Sequence, residues 1–175
     1  LGGSFAAAAA AELDLRQRPR DCFSARLLVF GTATDAFEGL GSVMMQLAHA
    51  QAEAFFSNRT LLWGAAEAQP PILGGARCAG GAGRGGECLF QPLGTCTWQD
   101  HVFADEAARI VTAPQADAER VTLQNVFRGG PGMYVVPPRL HDLLPDATKA
   151  DAAAAAECWA GAVMARVMRL RPELA

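Results

Sequence analysis

The sequence has no long apolar run, no dense basic block and no metal-binding cysteine pattern. No window approaches eighteen uncharged apolar residues, so a membrane-spanning helix is not expected within this chain. The formal net charge is −3 without a block of Lys and Arg, which argues against nucleic acid as a main partner; an acidic ligand would need a local basic pocket. The five cysteines include no Cys-x-x-Cys pair, and the three histidines are scattered, so we expect no metal site.

Hydrophobic residues make up 51% of the 175 positions, which suffices for the buried core of one domain. Much of that share is alanine, which favours helix but buries little area. Alanine dominates "SFAAAAAAEL" and "ADAAAAAECWAG", at residues 4–13 and 150–161. We therefore set residues 1–20 apart as a low-complexity, Ala-rich leader and expect the folded domain to span residues 21–175.

The first half of that domain follows the order strand, loop, helix, strand. "ARLLVFG", residues 25–31, is an apolar burst closed by glycine and predicts a buried strand. Ser42 is suited to be the N-cap of a helix over residues 42–57, and "RTLLW", residues 59–63, predicts the next strand. The apolar stripe of the helix consists of Val43, Leu47, Ala50 and Ala54, widened by Met44, Ala48 and Phe55. The segment is therefore predicted to be a βαβ unit with two parallel strands.

The second half is less regular. Pro and Gly crowd "PPILGGARCAGGAGRGGECLF", so residues 70–87 are interpreted as a surface insertion. "ARIVT" and "MYVVP" predict two short strands, and "ERVTLQNVF" between them is left undecided. A final helix is expected after Asp151, with Arg166, Arg169 and Arg171 near its negative C-terminal end. Its apolar face consists of Trp159, Val163, Val167 and Leu170. The expected fold class is α/β, with one parallel sheet between helices.

Two glycines precede the first long helix, in "EGLGS", and they are the main chemical signal of the sequence. Gly39 and Gly41 allow the backbone to approach a ligand closely, and the amides of the first helical turn suit a phosphate. A dinucleotide-binding turn would have a third glycine and a later acidic residue, and a P-loop would have a lysine, and neither pattern is complete here. A plain tight turn into the helix remains the alternative.

Five patches occur in an order that resembles a known enzyme family. They are "DCFSARLLVF", "GLGSVMMQLAHAQAEAFFSNRTLLW", "CLFQPLGTCT", "YVVPPRL" and "ECWAGAVMARVMRLRPEL". Their order and rough spacing resemble those of the α-1,6-fucosyltransferase family, glycosyltransferase family 23. The likeness runs from about Asp21 to Leu174, and it implies a Rossmann-like parallel sheet with flanking helices, as the N-terminal part of a GT-B-like domain.

The resemblance also implies a chemistry and a compartment. The reaction would be inverting transfer of fucose or a similar sugar from a GDP-sugar to a glycan hydroxyl, with no metal or other cofactor. Donor and acceptor would be the partners, and the location would be the Golgi or secretory-pathway lumen, with any membrane anchor outside this chain. The family's His-x-Arg-Arg segment, whose arginines grip the donor diphosphate, does not occur in this sequence, so the resemblance places it beyond Ala175.

Individual residues take roles only where they match the family's motifs. Gly39, Gly41 and Ser42 match the glycine-rich turn beside the donor diphosphate. Gln46 and His49 follow as possible donor-binding residues. Because Ala48 replaces one member of the family's histidine pair, a partly buried helix residue without a ligand is the alternative for His49. Arg59 is interpreted as a structural charge. Cys22 and Cys96 match a disulfide pair of the family, and no catalytic residue is assigned.

Two functions of other classes stay open. A non-catalytic α/β interaction module, or an inactive remnant, would share the fold and lack affinity for GDP. A Rossmann-type nucleotide-binding oxidoreductase would instead bind NAD, although the incomplete glycine fingerprint weighs against it.

Overall fold

The computed structural model describes residues 3–22, 25–30, 39–63, 90–96, 110–111, 120–123 and 135–170. The predicted insertion at residues 70–87 and the residues Met133 and Tyr134 lie outside these ranges. The helices and strands, in chain order, are α1 (Gly3–Arg16), β1 (Leu27–Phe30), α2 (Leu40–Phe56), β2 (Thr60–Trp63), β3 (Ile110–Val111), β4 (Arg120–Leu123), α3 (Pro138–His141), α4 (Asp146–Lys149) and α5 (Ala152–Val167).

The four strands form one sheet in the order β2-β1-β4-β3, and every neighbouring pair is parallel. In the register of β1, Leu28 lies opposite Leu61 on one side and Val121 on the other. The chain is therefore a mixed α/β fold, and the predicted parallel pair on either side of α2 is confirmed. The undecided segment "ERVTLQNVF" contains β4, which is the second neighbour of β1.

One large core lies between the sheet and the long helices. Leu28, Phe30 and Leu61 of the sheet belong to a single buried cluster with residues of α1, α2 and α5. The apolar stripe predicted for α2 is confirmed, since Val43, Leu47, Ala50 and Ala54 have no exposed surface. Leu27 and Leu62 form a second, small cluster with Cys96. Strand residues that alternate in sequence thus enter the two different clusters, as expected for a sheet that is buried on both faces.

The Ala-rich segment set apart as a leader forms α1 and belongs to the main core. Phe5, Ala9 and Leu13 recur every four residues, which places them on one side of the helix, and all three are buried. At the end of α1 the Asp14 carboxylate accepts a hydrogen bond from Nε of the buried Arg166 side chain in α5. The alanines let α1 pack closely, and Phe5, Ala9 and Leu13 form the side of the helix that enters the core.

The helix predicted after Asp151 is present as α5, and Asp151 is its N-cap. One carboxylate oxygen of Asp151 accepts hydrogen bonds from the amides of Ala153 and Ala154, at 2.9 and 3.2 Å. Trp159, Val163 and Val167 are buried as predicted. The prediction for Leu170 was wrong, because the helix ends at Val167 and Leu170 instead forms an isolated bridge to Phe90, with 45% of its surface exposed.

The strand predicted over "MYVVP" was also wrong in its described part. Val135 is an exposed bend residue, and Pro137 is the N-cap of α3, which begins at Pro138. Proline has no amide hydrogen for a sheet ladder, and its fixed φ suits the first turn of a helix. The two consecutive prolines therefore favour a helix start over a strand.

Candidate functional site

The glycine turn, defined here as residues 39–42, lies at the N-terminus of α2. The C-terminus of α2 leads directly into the start of β2, where the Thr60 amide donates to the Arg26 carbonyl at 2.8 Å. The N-terminus of the helix therefore lies towards the opposite edge of the sheet, where the parallel strands have their carboxyl ends. Ligands of open parallel sheets bind at that edge.

The helix begins earlier than the sequence predicted. Gly39 is the N-cap, with an extended backbone at φ −70° and ψ 158°, and Ser42 lies inside the first turn, so the prediction of Ser42 as N-cap was wrong. Glycine is an acceptable N-cap residue, and the helix can therefore start at Leu40 without a capping side chain. The first hydrogen bond of the helix runs from the Val43 amide to the Gly39 carbonyl, at 3.2 Å.

This start leaves the amides of Leu40, Gly41 and Ser42 with no acceptor inside α2. The positive end of the helix dipole lies at the same place, so the turn favours a negatively charged group. Gly39 and Gly41 are both exposed, and a Cβ at either position would meet nothing within 4 Å. Packing among the described residues therefore does not require glycine at either position.

Gln46 and His49 lie further along α2, and the structure does not bring them to the same exposed surface as the glycine turn. Only 1% of Gln46 and 9% of His49 is exposed. Burial lowers the pKa of His49, because desolvation penalises the charged imidazolium. His49 therefore favours the neutral form, and both side chains belong to the buried part of the helix.

Cys22 and Cys96 are joined by a disulfide bond, the pairing that the family resemblance implied. The two Cα atoms are 5.6 Å apart, and 74 positions separate the cysteines in sequence. The bond lies beside Leu27 of β1 and Leu62 of β2. It therefore fixes residues 90–96 against the sheet. Cys158 in α5 is a half-buried free thiol.

Among the described residues, no group of three or more His, Cys, Asp or Glu side chains could hold a metal ion. Within the same ranges, every helix is too short or too polar to cross a bilayer.

A concave surface that no sequence motif predicted lies at the opposite end of α2 from the glycine turn. We call it the arginine pocket; its cationic lining residues are Arg16, Arg26, Arg59 and Arg139. Only Arg59 was singled out in the sequence, and as a structural charge. The four arginines are far apart along the chain, so no local motif could reveal them. The sequence indicated only that an acidic ligand would need a local basic pocket, and not which residues would form it.

Comparison with known proteins adds no assignment. The sequence matches no protein-family model, and the search of curated proteins returns no significant match.

Proposed function

We propose that the described fold, α1 included, is part of a GT-B-like glycosyltransferase domain related to the α-1,6-fucosyltransferases. The reaction would transfer fucose or a similar sugar from a GDP-sugar to a glycan hydroxyl. The observation that carries this proposal is the open glycine turn at the N-terminus of α2, after the first strand of a parallel βαβ unit. In sheets of this kind that position is where nucleotide phosphates bind.

The glycine turn would act on the donor diphosphate. The amides of Leu40, Gly41 and Ser42 would donate hydrogen bonds to its oxygens, and the absence of side chains at Gly39 and Gly41 lets a phosphate approach the backbone. Negative charge develops on the diphosphate as the sugar–oxygen bond breaks, and preorganised amides stabilise that charge. The acceptor hydroxyl loses its proton to a general base, to which no described residue is assigned.

The disulfide supports the compartment that the proposal requires. Disulfides persist in oxidising compartments and are rare in the cytosol. The Cys22–Cys96 bond therefore fits a protein that works in the Golgi or secretory-pathway lumen, where glycan acceptors are found.

The test is GDP binding by the chain and by two leucine variants, measured by isothermal titration calorimetry. Leucine at Gly41 would cover the amides, so G41L should weaken GDP binding about tenfold or more, the equivalent of one lost hydrogen bond to a charged group. The matched control is Gly3→Leu, because Gly3 also lies in the first turn of a helix with nothing within 4 Å of a Cβ. This control should bind GDP like the unmodified chain.

The outcomes separate the proposal from its alternatives. If G41L loses GDP affinity only to the extent that it loses thermal stability, the result contradicts the contact assigned to the turn. Failure of the unmodified, folded chain to bind GDP would contradict the donor site and favour a non-catalytic module. Binding of NAD in place of GDP would favour an oxidoreductase.

A further inference from the structure

The arginine pocket has a cavity of about 410 Å³ at the amino-terminal edge of the sheet. Its walls come from the end of α1, the residues before β1, the turn between α2 and β2, and α3. Four lining residues are arginines, of which Arg59 is buried, Arg16 and Arg26 are half-buried and Arg139 is exposed; none of the described lining residues is acidic. The lining also includes Asn58 and Thr60. A basic concavity of this kind is unexpected on a chain whose formal net charge is −3.

The backbone around the pocket is fixed by hydrogen bonds to the start of β2. The Thr60 amide donates to the Arg26 carbonyl at 2.8 Å, and the Thr60 hydroxyl donates to the Arg16 carbonyl at 3.2 Å. The Arg59 guanidinium donates to the Leu27 carbonyl at 3.2 Å. The backbones of Arg16 and Arg26 are therefore tied to the start of β2, and the Arg59 side chain is tied to β1.

The turn that carries Arg59 has its own local cause. Asn58 has a left-handed backbone, with φ 55°, directly after the end of α2. The Arg59 amide donates to the Ala54 carbonyl at 2.7 Å and the Asn58 amide to the Phe55 carbonyl at 3.3 Å, which is the Schellman pattern of helix termination. Asparagine tolerates this conformation better than most residues. The backbone of the turn thus sets the position of Arg59 in the lining of the pocket.

Phe55 orders two of the other arginines. The guanidinium carbons of Arg16 and Arg139 lie 5.8 and 5.3 Å from the centroid of its ring, within the range of cation–π attraction. Arg139 also forms an ion pair with Glu12 at 3.0 Å. These contacts limit the freedom of two long side chains, so less conformational entropy is lost when an anion binds.

The charges in the pocket are placed close enough to repel each other. Burial lowers the pKa of Arg59, and the neighbouring positive charge of Arg26 lowers it further. Guanidinium groups suit phosphate and sulfate in particular, because their planar fork can donate two parallel hydrogen bonds to two oxygens.

We propose that the arginine pocket binds a small molecule that carries a phosphate or sulfate group. The cavity volume falls within the usual range for small-molecule sites, so it has room for more than the bare anion. The pocket is separate from the glycine turn, since the 17-residue α2 lies between them and spans about 25 Å. It is thus a second anion site, and it does not depend on the proposed glycosyltransferase function.

The test is calorimetric titration of the chain at low ionic strength with inorganic phosphate, inorganic sulfate, glucose 6-phosphate and glucose 6-sulfate. We expect at least one probe to bind with one-to-one stoichiometry. Arg16→Gln and Arg26→Gln should each weaken that binding about tenfold or more, the usual effect of losing a hydrogen bond to a charged group. The matched control is Arg20→Gln, which removes the same charge from an exposed position outside the lining. It should change the affinity less than about twofold, because exposed charges act weakly at a distance.

Each result of the titrations either supports or overturns the anion site. Preference for the phosphate ester over the sulfate ester, or the reverse, supports the site and identifies the source of the anion. An equal loss of probe affinity in R20Q and R26Q would overturn the proposal, because the probes would then respond to the net charge of the chain and not to the pocket. Absence of binding by all four probes to the folded chain would overturn it as well. Thermal unfolding of each variant verifies that the fold is retained.

Discussion

Gly94 is the glycine whose replacement the structure forbids most clearly. A Cβ at this position would overlap the backbone carbonyl of Gln17. The same carbonyl accepts a hydrogen bond from the Thr95 amide at 3.1 Å, and the Gln17 side chain accepts one from the Leu61 amide at 3.0 Å. Gln17 therefore joins residues 90–96 to β2, and the close backbone contact at Gly94 is part of that junction.

We expect Gly94→Ala to lower the free energy of unfolding by about 1–3 kcal/mol, the usual cost of forcing extra atoms into a packed site. Gly161→Ala is the matched control, because Gly161 lies in α5 with nothing within 4 Å of a Cβ. That change should raise stability by about 0.5–1 kcal/mol, since alanine is the better helix former. Urea denaturation at constant pH measures both. A neutral G94A would show that residues 90–96 shift away from Gln17 without cost.

At the scale of elements, α2 is a helix buried on most sides that contains titratable groups. Burial lowers the pKa of His49 and raises the pKa of Glu53, in each case because desolvation penalises the charged form. The lowered pKa means that the unfolded chain binds a proton at His49 more readily than the folded chain. Stability from His49 is therefore present above the ordinary histidine pKa of about 6.5 and is lost as the pH falls below it.

Glu53 acts with the opposite sign. Its raised pKa means that the folded chain holds the proton more tightly, so the stability from Glu53 is present at low pH and is lost as the pH rises above the ordinary value of 4.5. The two contributions overlap in weakly acidic solution, and single variants are needed to separate them.

We predict that His49→Gln removes part of the loss of stability between pH 7.5 and pH 5.5. The measurement is the thermal midpoint across that range in constant ionic strength. His141→Gln is the matched control, because it removes a histidine from an exposed position in α3. Glu53→Gln should make the loss on acidification steeper, since it removes the opposing contribution. A His49 variant with the unchanged profile would contradict the assigned burial.

The elements that the sequence predicted correctly are those with a local pattern. β1 and β2 are apolar bursts, and α2 has a stripe at helical spacing, so each is visible in a window of a few residues. β4 reads Arg-Val-Thr-Leu, which is not distinctive, and its place beside β1 depends on pairing with a strand about ninety residues earlier. The role of α1 was hidden because six consecutive alanines mask the spacing of Phe5, Ala9 and Leu13.

The glycine turn and the arginine pocket differ in the same respect, because only the first has a local sequence pattern. The glycine turn could be located because Gly39 and Gly41 are adjacent to the helix that they begin. The arginine pocket could not, because Arg16, Arg26, Arg59 and Arg139 belong to four segments that come together only in the folded chain. Burial of His49 also depends on contacts with other elements, which no single helical pattern defines.

At the scale of the whole molecule, long-range ties hold residues 90–96 against the remainder of the fold. The buried Arg166 side chain donates to the Leu93 carbonyl and to the Asp14 carboxylate, which joins α5, this segment and α1. The Gln91 amide donates to the Arg169 carbonyl at 2.7 Å. The Cys22–Cys96 bond attaches the far end of the same segment beside β1. One short segment thus connects the first helix, the sheet and the last helix.

The disulfide should therefore contribute to the stability of the whole fold. It closes a loop that contains β1, α2 and β2, and a loop of 74 residues restricts the unfolded chain by about 4 kcal/mol in the chain-entropy estimate. We expect the double variant Cys22→Ser/Cys96→Ser to lose about 2–4 kcal/mol of unfolding free energy, the typical measured range. Urea denaturation without reductant gives this difference.

Reduction separates the covalent contribution from the effect of the serines. With a reductant present, the unmodified chain should become as unstable as the double variant, because both then lack the same cross-link. Cys158→Ser is the control, since Cys158 is a free thiol, and it should respond to reductant like the unmodified chain. Alkylation of the unreduced protein after denaturation, followed by peptide mass mapping, identifies the free thiols. Labelling of both Cys22 and Cys96 in that experiment would refute the bond, and with it the support that the bond lends to an oxidising compartment.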